Sequence, residues 1–190
     1  MRICIVKLSA MGDIIHAMVA LQFIKKELPN CTIDWIVEEG FKGILENNPH
    51  INKILPINLK SIKSNKSEIF NQIKILNTYS KNNYDVVIDA QGLIKSAIVS
   101  KIVGGRVINS KIVGFDRDSI REKIATYMYD ETVNISYSWN VIDRSVKVIS
   151  LPLNLKVNVN NILAKKPFLY YNTKDNSIKD YIVFVVGASK

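Results

Sequence analysis

The chain has 190 residues, 47% of them hydrophobic and 23% charged. That is apolar material for one large domain or one and a half, and it excludes wholesale disorder. The longest apolar runs are strand-sized, which excludes a membrane helix of roughly 20 apolar residues. Lysine and arginine outnumber aspartate and glutamate 26 to 17, and the net charge of +9 favours an anionic partner: nucleic acid, an acidic membrane surface or a phosphorylated substrate.

Residues 2–8 read as a buried strand. From Asp13 onward, Ile14, Met18, Leu21, Ile24 and Leu28 recur at helical spacing and stop before Pro29-Asn30. Residues 32–38 form a second strand, 41–47 a short helix and 53–57 a third, brief strand. Residues 58–67, rich in Lys, Ser and Asn, are expected to be a polar loop, and 68–80 a helix. The clearest strand is 84–89, within YDVVIDA, continuous and β-branched as burial on both faces requires. Gln91-Gly92 turns it into a helix over 93–103, which Gly104-Gly105 breaks. Residues 106–108 and 111–113 read as strand pieces, and 121–129 and 139–149 as helices. Residues 152–166 are polar and irregular in the manner of an interdomain linker. Residues 181–186 begin a new buried strand that enters Gly187-Ala188-Ser189-Lys190.

This alternation of strands and helices predicts an α/β fold, a Rossmann-like parallel sheet with helices on both faces. Residues 1–166 are expected to be one domain, and 167–190 the linker and first strand of a second, so that the chain is the N-terminal part of a longer protein. No secretory leader is visible, since no long apolar h-region with a small-residue cleavage site is present. Cys4 and Cys31 lack metal-ligand spacing and read as buried thiols in a reducing cytoplasm.

Ligands of such sheets bind outside the C-terminal strand ends, which directs attention to the loops at 8–13, 38–41, 58–67 and 89–92. The stretch KLSAMGDIIHAM has a single glycine, so it is not a dinucleotide fingerprint. Asp13 falls at the start of the first helix, where a carboxylate caps amides and is favoured in its ionised form. The same ionised carboxylate can accept a proton from an attacking sugar hydroxyl. Gly12 lets the backbone approach a substrate closely, and Ser9 with the amides around it can hold a hydroxyl or oxyanion. Lys7 can meet an anionic group but reads first as a strand-end lysine in solvent, Met11 reads as packing and His16 as structural. Asp89 to Gly92 reads first as a turn and helix cap, and second as support for a ligand site or a direct contact to the ligand. Between Ile51 and Tyr84 stand six lysines and one acid, Glu68, a pattern that also fits an ordinary solvated face.

Four blocks, VKLSAMGDIIH, DWIVEEGF, YDVVIDAQGLIKSA and IREKIATYMY, stand in order and at matching intervals over nearly the whole chain. Together they resemble the N-terminal half of glycosyltransferase family 9, in its lipopolysaccharide heptosyltransferase I branch. The resemblance implies the N-terminal domain of a two-domain GT-B glycosyltransferase. It also implies a metal-independent, inverting transfer of L-glycero-D-manno-heptose from ADP-heptose to Kdo of Kdo2-lipid A, with no cofactor. Asp13 matches the family's general base, with Ser9, Met11 and Gly12 beside it on the acceptor side. Lys60, Lys63 and Lys66 match a basic acceptor-binding loop, and Arg121 and Arg144 match later acceptor-binding arginines. Lysines stand in that loop where relatives carry arginines, which implies looser phosphate geometry. Ser189 falls where donor phosphate contacts begin. A cytoplasmic enzyme in peripheral contact with the inner membrane is implied, and no nucleic acid.

Two other readings stand beside this one. A second heptosyltransferase or another core transferase of the same family would keep Asp13 and change the partners of the lysine loop. A non-catalytic Rossmann-like binding module is disfavoured, because no phosphate-loop motif is present and no aromatics interleave with the basic loop.

Overall fold

The structure is a computed structural model that describes residues 1–105 and 109–170. The strand piece expected at 106–108, the strand at 181–186 and Ser189 lie outside the described residues. Six parallel strands form one sheet: β1 Arg2–Val6, β2 Thr32–Glu38, β3 Lys53–Ile57, β4 Val86–Asp89, β5 Lys111–Phe115 and β6 Glu131–Val133. Their order is β3-β2-β1-β4-β5-β6. Ile5 sits opposite Trp35 on one side and Ile88 on the other, so β1 is central. Strand order reverses between β1 and β4, which makes that crevice the topological switch point.

The helices are α1 Met11–Glu27, α2 Ser61–Ser64, α3 Glu68–Ser80, α4 Ile94–Gly104, α5 Val141–Ser150 and α6 Val159–Leu163. Ile3, Ile5, Trp35, Val37 and Ile88 point to the α1–α5 face, where they meet Ile14, Met18, Leu21, Val146 and Ile149. Cys4, Val6, Ile36 and Val87 point to the opposite face and meet Leu76, Val99 and Val103 of α3 and α4. This alternation explains why the central strands are apolar throughout. Each buried large aliphatic contributes about 1.5–3 kcal/mol against its exposed state. Among the described residues no helix is long and apolar enough to cross a membrane.

Four expectations change. The helices expected at 41–47 and 121–129 are 3-10 segments, Glu39–Ile44 and Lys123–Met128. The first contains Gly40 and Gly43, poor helix formers. The second buries only Ala125 fully and leaves Ile124 and Tyr127 exposed, a narrower apolar face than a full helix would present. The loop at 58–67 holds the one-turn helix α2, whose start is fixed by Asn58: its Oδ1 accepts from Ser61 N at 3.0 Å. Residues 152–166 are not a free linker. Leu153, Leu155, Val157 and Ile162 are buried in the α1–α5 core, and Asn158 caps α6 by accepting from Asn161 N at 2.9 Å.

Candidate functional site

The ends of β1 and β4 are stitched together before any ligand is considered. Ala90 N donates to Val6 O at 3.0 Å. The Gln91 side-chain carbonyl accepts from Leu8 N at 3.1 Å and from Ser9 N at 3.2 Å. Those two amides are therefore taken, which corrects the expectation that the amides around Ser9 would hold a substrate oxygen. Asp89 is fully buried and collects four donors: Gln91 N, Gly92 N, Ser96 Oγ and Tyr129 Oη, at 2.8, 3.1, 2.8 and 2.8 Å. Burial raises the Asp89 carboxyl above its ordinary range, and these donors oppose the rise. Being fully buried, Asp89 supports the turn and does not touch a ligand. Gly92 makes the turn at φ +71°, where an added Cβ would lie 3.1 Å from the Phe115 ring.

Lys7 departs most from expectation. It is 6% exposed, and its Nζ donates to Ala90 O at 3.0 Å. Burial lowers its affinity for a proton, the charges of Asp13 and Asp89 raise it, and Arg144 lowers it again. A strand-end lysine is ordinarily solvated; this one is held by packing from neighbouring elements, which local sequence does not express.

Asp13 lies in the first turn of α1, half-buried, and its Oδ2 accepts from Ala10 N at 3.4 Å. It lines a cavity of about 210 Å³ together with Lys7, Gln91, Arg121, Tyr137 and Arg144. Arg144 builds the wall it lines. Its guanidinium donates to Ser119 O at 2.6 Å and Ser136 O at 2.9 Å, and lies 4.4 Å from the Tyr137 ring centroid. Among the described residues, neither Lys7, Arg121 nor Arg144 forms an ion pair with a carboxylate. The arrangement is one carboxylate among three cations, suited to an anionic substrate that must lose a proton.

Residues 73–190 match glycosyltransferase family 9 (heptosyltransferase). The chain belongs to that family. It is 44% identical over 81% of its length to lipopolysaccharide heptosyltransferase 1 of Campylobacter coli, covering 42% of that protein. It is 31% identical over 81% of its length to the protein of the same name from Pseudomonas aeruginosa, covering 43% of it. An Escherichia coli heptosyltransferase solved with ADP-2-deoxy-2-fluoro heptose superposes with a TM-score of 0.74 at 30% identity, over 82% of this chain and 49% of that one. The chain thus spans less than half the length of these relatives. Its α/β fold is that of the GT-B heptosyltransferases.

Within this family 9 fold, the other expected site residues fall in two places. Ser9, Met11 and Gly12 precede Asp13 in the chain, and none of them lines its cavity. Met11 is 54% exposed, which overturns its reading as packing, and a Cβ on Gly12 would meet nothing within 4 Å. Lys60, Lys63 and Lys66 are exposed beyond β3 and do not line the Asp13 cavity. Lys60 lies 5.2 Å from the Phe41 ring centroid. Glu38, 3% exposed at the end of β2, accepts the amides of Leu59 and Lys60; burial raises its carboxyl, and Lys95 and Lys60 oppose the rise. Sequence reasoning gave no role to Glu38 and placed Gln91 only within the turn and support after β4; each ties one ligand-facing loop in place. Among the described residues no cluster of three His, Cys, Asp or Glu could hold a metal ion.

Proposed function

We propose that this chain is the acceptor-side half of an inverting glycosyltransferase that moves L-glycero-D-manno-heptose from ADP-heptose to a Kdo hydroxyl of Kdo2-lipid A in lipopolysaccharide inner-core synthesis. The observation that carries the reading is Asp13 sharing one cavity with Lys7, Arg121 and Arg144 at the switch point.

In the proposed step the Asp13 carboxylate takes the proton of the acceptor hydroxyl as that oxygen bonds to C1 of the heptose. The bond from C1 to the ADP oxygen breaks, its electron pair leaves with ADP, and the configuration at C1 inverts. A positioned base of this kind contributes about 10²–10⁴-fold. Lys7, Arg121 and Arg144 hold the acceptor's carboxylates, with Ser9, Met11 and Gly12 lining the approach, and Lys60, Lys63 and Lys66 meet its more distant phosphates. The donor reading draws support from the Escherichia coli relative solved with ADP-2-deoxy-2-fluoro heptose, and the choice of first acceptor from the curated relatives named heptosyltransferase 1. The metal-free form of the step follows from the family resemblance. Ser189 is proposed to donate to a donor phosphate, and the protein to work in the cytoplasm against the inner membrane.

The test is transfer from ADP-heptose by the complete gene product to Kdo2-lipid A and, separately, to an acceptor already carrying one heptose. Transfer to the first acceptor is expected. Transfer to the second alone would reassign the acceptor, and transfer to neither would overturn the reading.

A further inference from the structure

A second cavity, of about 360 Å³, lies between α3 and α4 on the sheet face opposite α1 and α5. Ile69 and Ile73 of α3 face Ile98 and Ile102 of α4 across it, and Leu59 and Ile62 line it from the loop after β3. Ile69, Ile73 and Ile98 are 43%, 38% and 44% exposed, and Phe70, one position round α3, is 75% exposed. Large apolar side chains gathered on one exposed face mark an interaction surface. The charge around them is mainly positive. Lys63 and Lys95 line the groove, Lys66 precedes α3 and Lys74 lies on it. α4 carries Lys95 and no acid, its Lys101 being paired with Asp130 at 3.6 Å, and α3 carries one acid, Glu68, which accepts from Asn71 Nδ2 at 3.2 Å.

We propose that this groove is a docking surface for an anionic phospholipid bilayer, with Ile69, Phe70, Ile73 and Ile98 entering the interfacial layer and the lysines meeting lipid phosphates. The proposal rests on the transferase reading for its physiological sense, since a lipid-linked acceptor is presented at a membrane. An apolar strip bordered by lysines is the pattern that binds such an interface, each part adding to the other. Nucleic acid would need a stacking platform, and Phe70 is the sole aromatic among the exposed large apolar residues of α3 and α4. Leu93, just before α4, lines the Asp13 cavity, and Lys95, on the first turn of α4, lines the groove.

The experiment is co-sedimentation of the complete gene product with vesicles of phosphatidylcholine alone and of phosphatidylcholine mixed with phosphatidylglycerol, at low and high salt. Alongside it runs heptose transfer to a water-soluble, deacylated Kdo2-lipid A. Wild type is expected to pellet with the anionic vesicles, less so at high salt. Phe70→Ser with Ile73→Ser should reduce that binding at least fivefold and leave transfer to the deacylated acceptor unchanged. Lys74→Glu, a milder surface change, should weaken anionic-vesicle binding about fivefold and remove part of the salt dependence. Binding by the double variant equal to wild type would overturn the proposal, as would wild-type pelleting that ignores lipid charge or fails altogether. A wild type that binds vesicles but transfers no heptose would instead overturn the transferase reading and leave the surface standing.

Discussion

The Lys7 ammonium donates to the Ala90 carbonyl at 3.0 Å, bridging the ends of β1 and β4 across the switch point while Asp13, Asp89 and Arg144 act on its charge. A buried cation placed there gives the cavity a fixed positive wall that solvent does not screen as it would a surface lysine.

Lys7→Met keeps most of the stem volume and removes the charge. The fold should persist, because replacing a buried charge by an apolar group of similar size is close to neutral. The acceptor KM should rise about tenfold or more, the worth of one lost charged hydrogen bond. In wild type, the folded protein binds the Lys7 proton less tightly than the unfolded chain, so its cost to stability is present at neutral pH and is relieved as pH rises through the lowered folded value towards 10.5. NMR titration of the lysine should show Arg144→Ala moving that value up and Asp13→Asn moving it down.

Tyr129→Phe removes one of the four donors to Asp89 and should cost about 1–3 kcal/mol near neutral pH. The Asp89 carboxyl has a folded pKa raised above 3.8, chiefly by burial, and the Tyr129 hydroxyl holds it down. A raised carboxyl contributes stability that is fully present below the unfolded value and is lost as pH rises through the folded one. The variant raises the folded value further, so its deficit should shrink as pH falls. Paired denaturant melts at neutral and acid pH measure this, and a deficit independent of pH would separate Tyr129 from the Asp89 charge.

Glu38→Gln leaves one fewer acceptor for the amides of Leu59 and Lys60 and removes the charge that faces Lys60 and Lys95. Hydrogen exchange at those two amides should quicken roughly five- to tenfold, the equivalent of about one hydrogen bond. Unchanged exchange would mean that the loop after β3 is held by other contacts.

Gly92→Ala should destabilise by about 1–2 kcal/mol from its left-handed backbone alone, with the Phe115 and Ile120 contacts adding to the loss. Thermal melting would register this directly, and a variant as stable as wild type would show that the turn relaxes.

The central sheet was legible because its signal is continuous. Val86–Asp89 within YDVVIDA and residues 3–6 of β1 are buried on both faces and are strands in the structure. The position of Asp13 at the ligand-facing edge followed from the same alternation. What escaped was contact over long sequence separation. Lys7 is buried by the chain at 90, and Gln91 secures the amides of residues 8 and 9; neither fact is expressed in local pattern. β6 has three residues, none of them buried, too short and polar to register as a strand. Leu153, Leu155 and Val157 alternate as a buried edge would, but the intervening Asn154 and Lys156 gave the segment the composition of a linker.

The most direct test of the account is Asp13→Asn in the complete gene product, a change that keeps the size of the first-turn side chain of α1 while removing its basicity. Steady-state transfer from ADP-heptose to Kdo2-lipid A should lose about 10²–10⁴-fold in kcat with acceptor KM little altered. Turnover within a few-fold of wild type would contradict the assignment of Asp13 as the base.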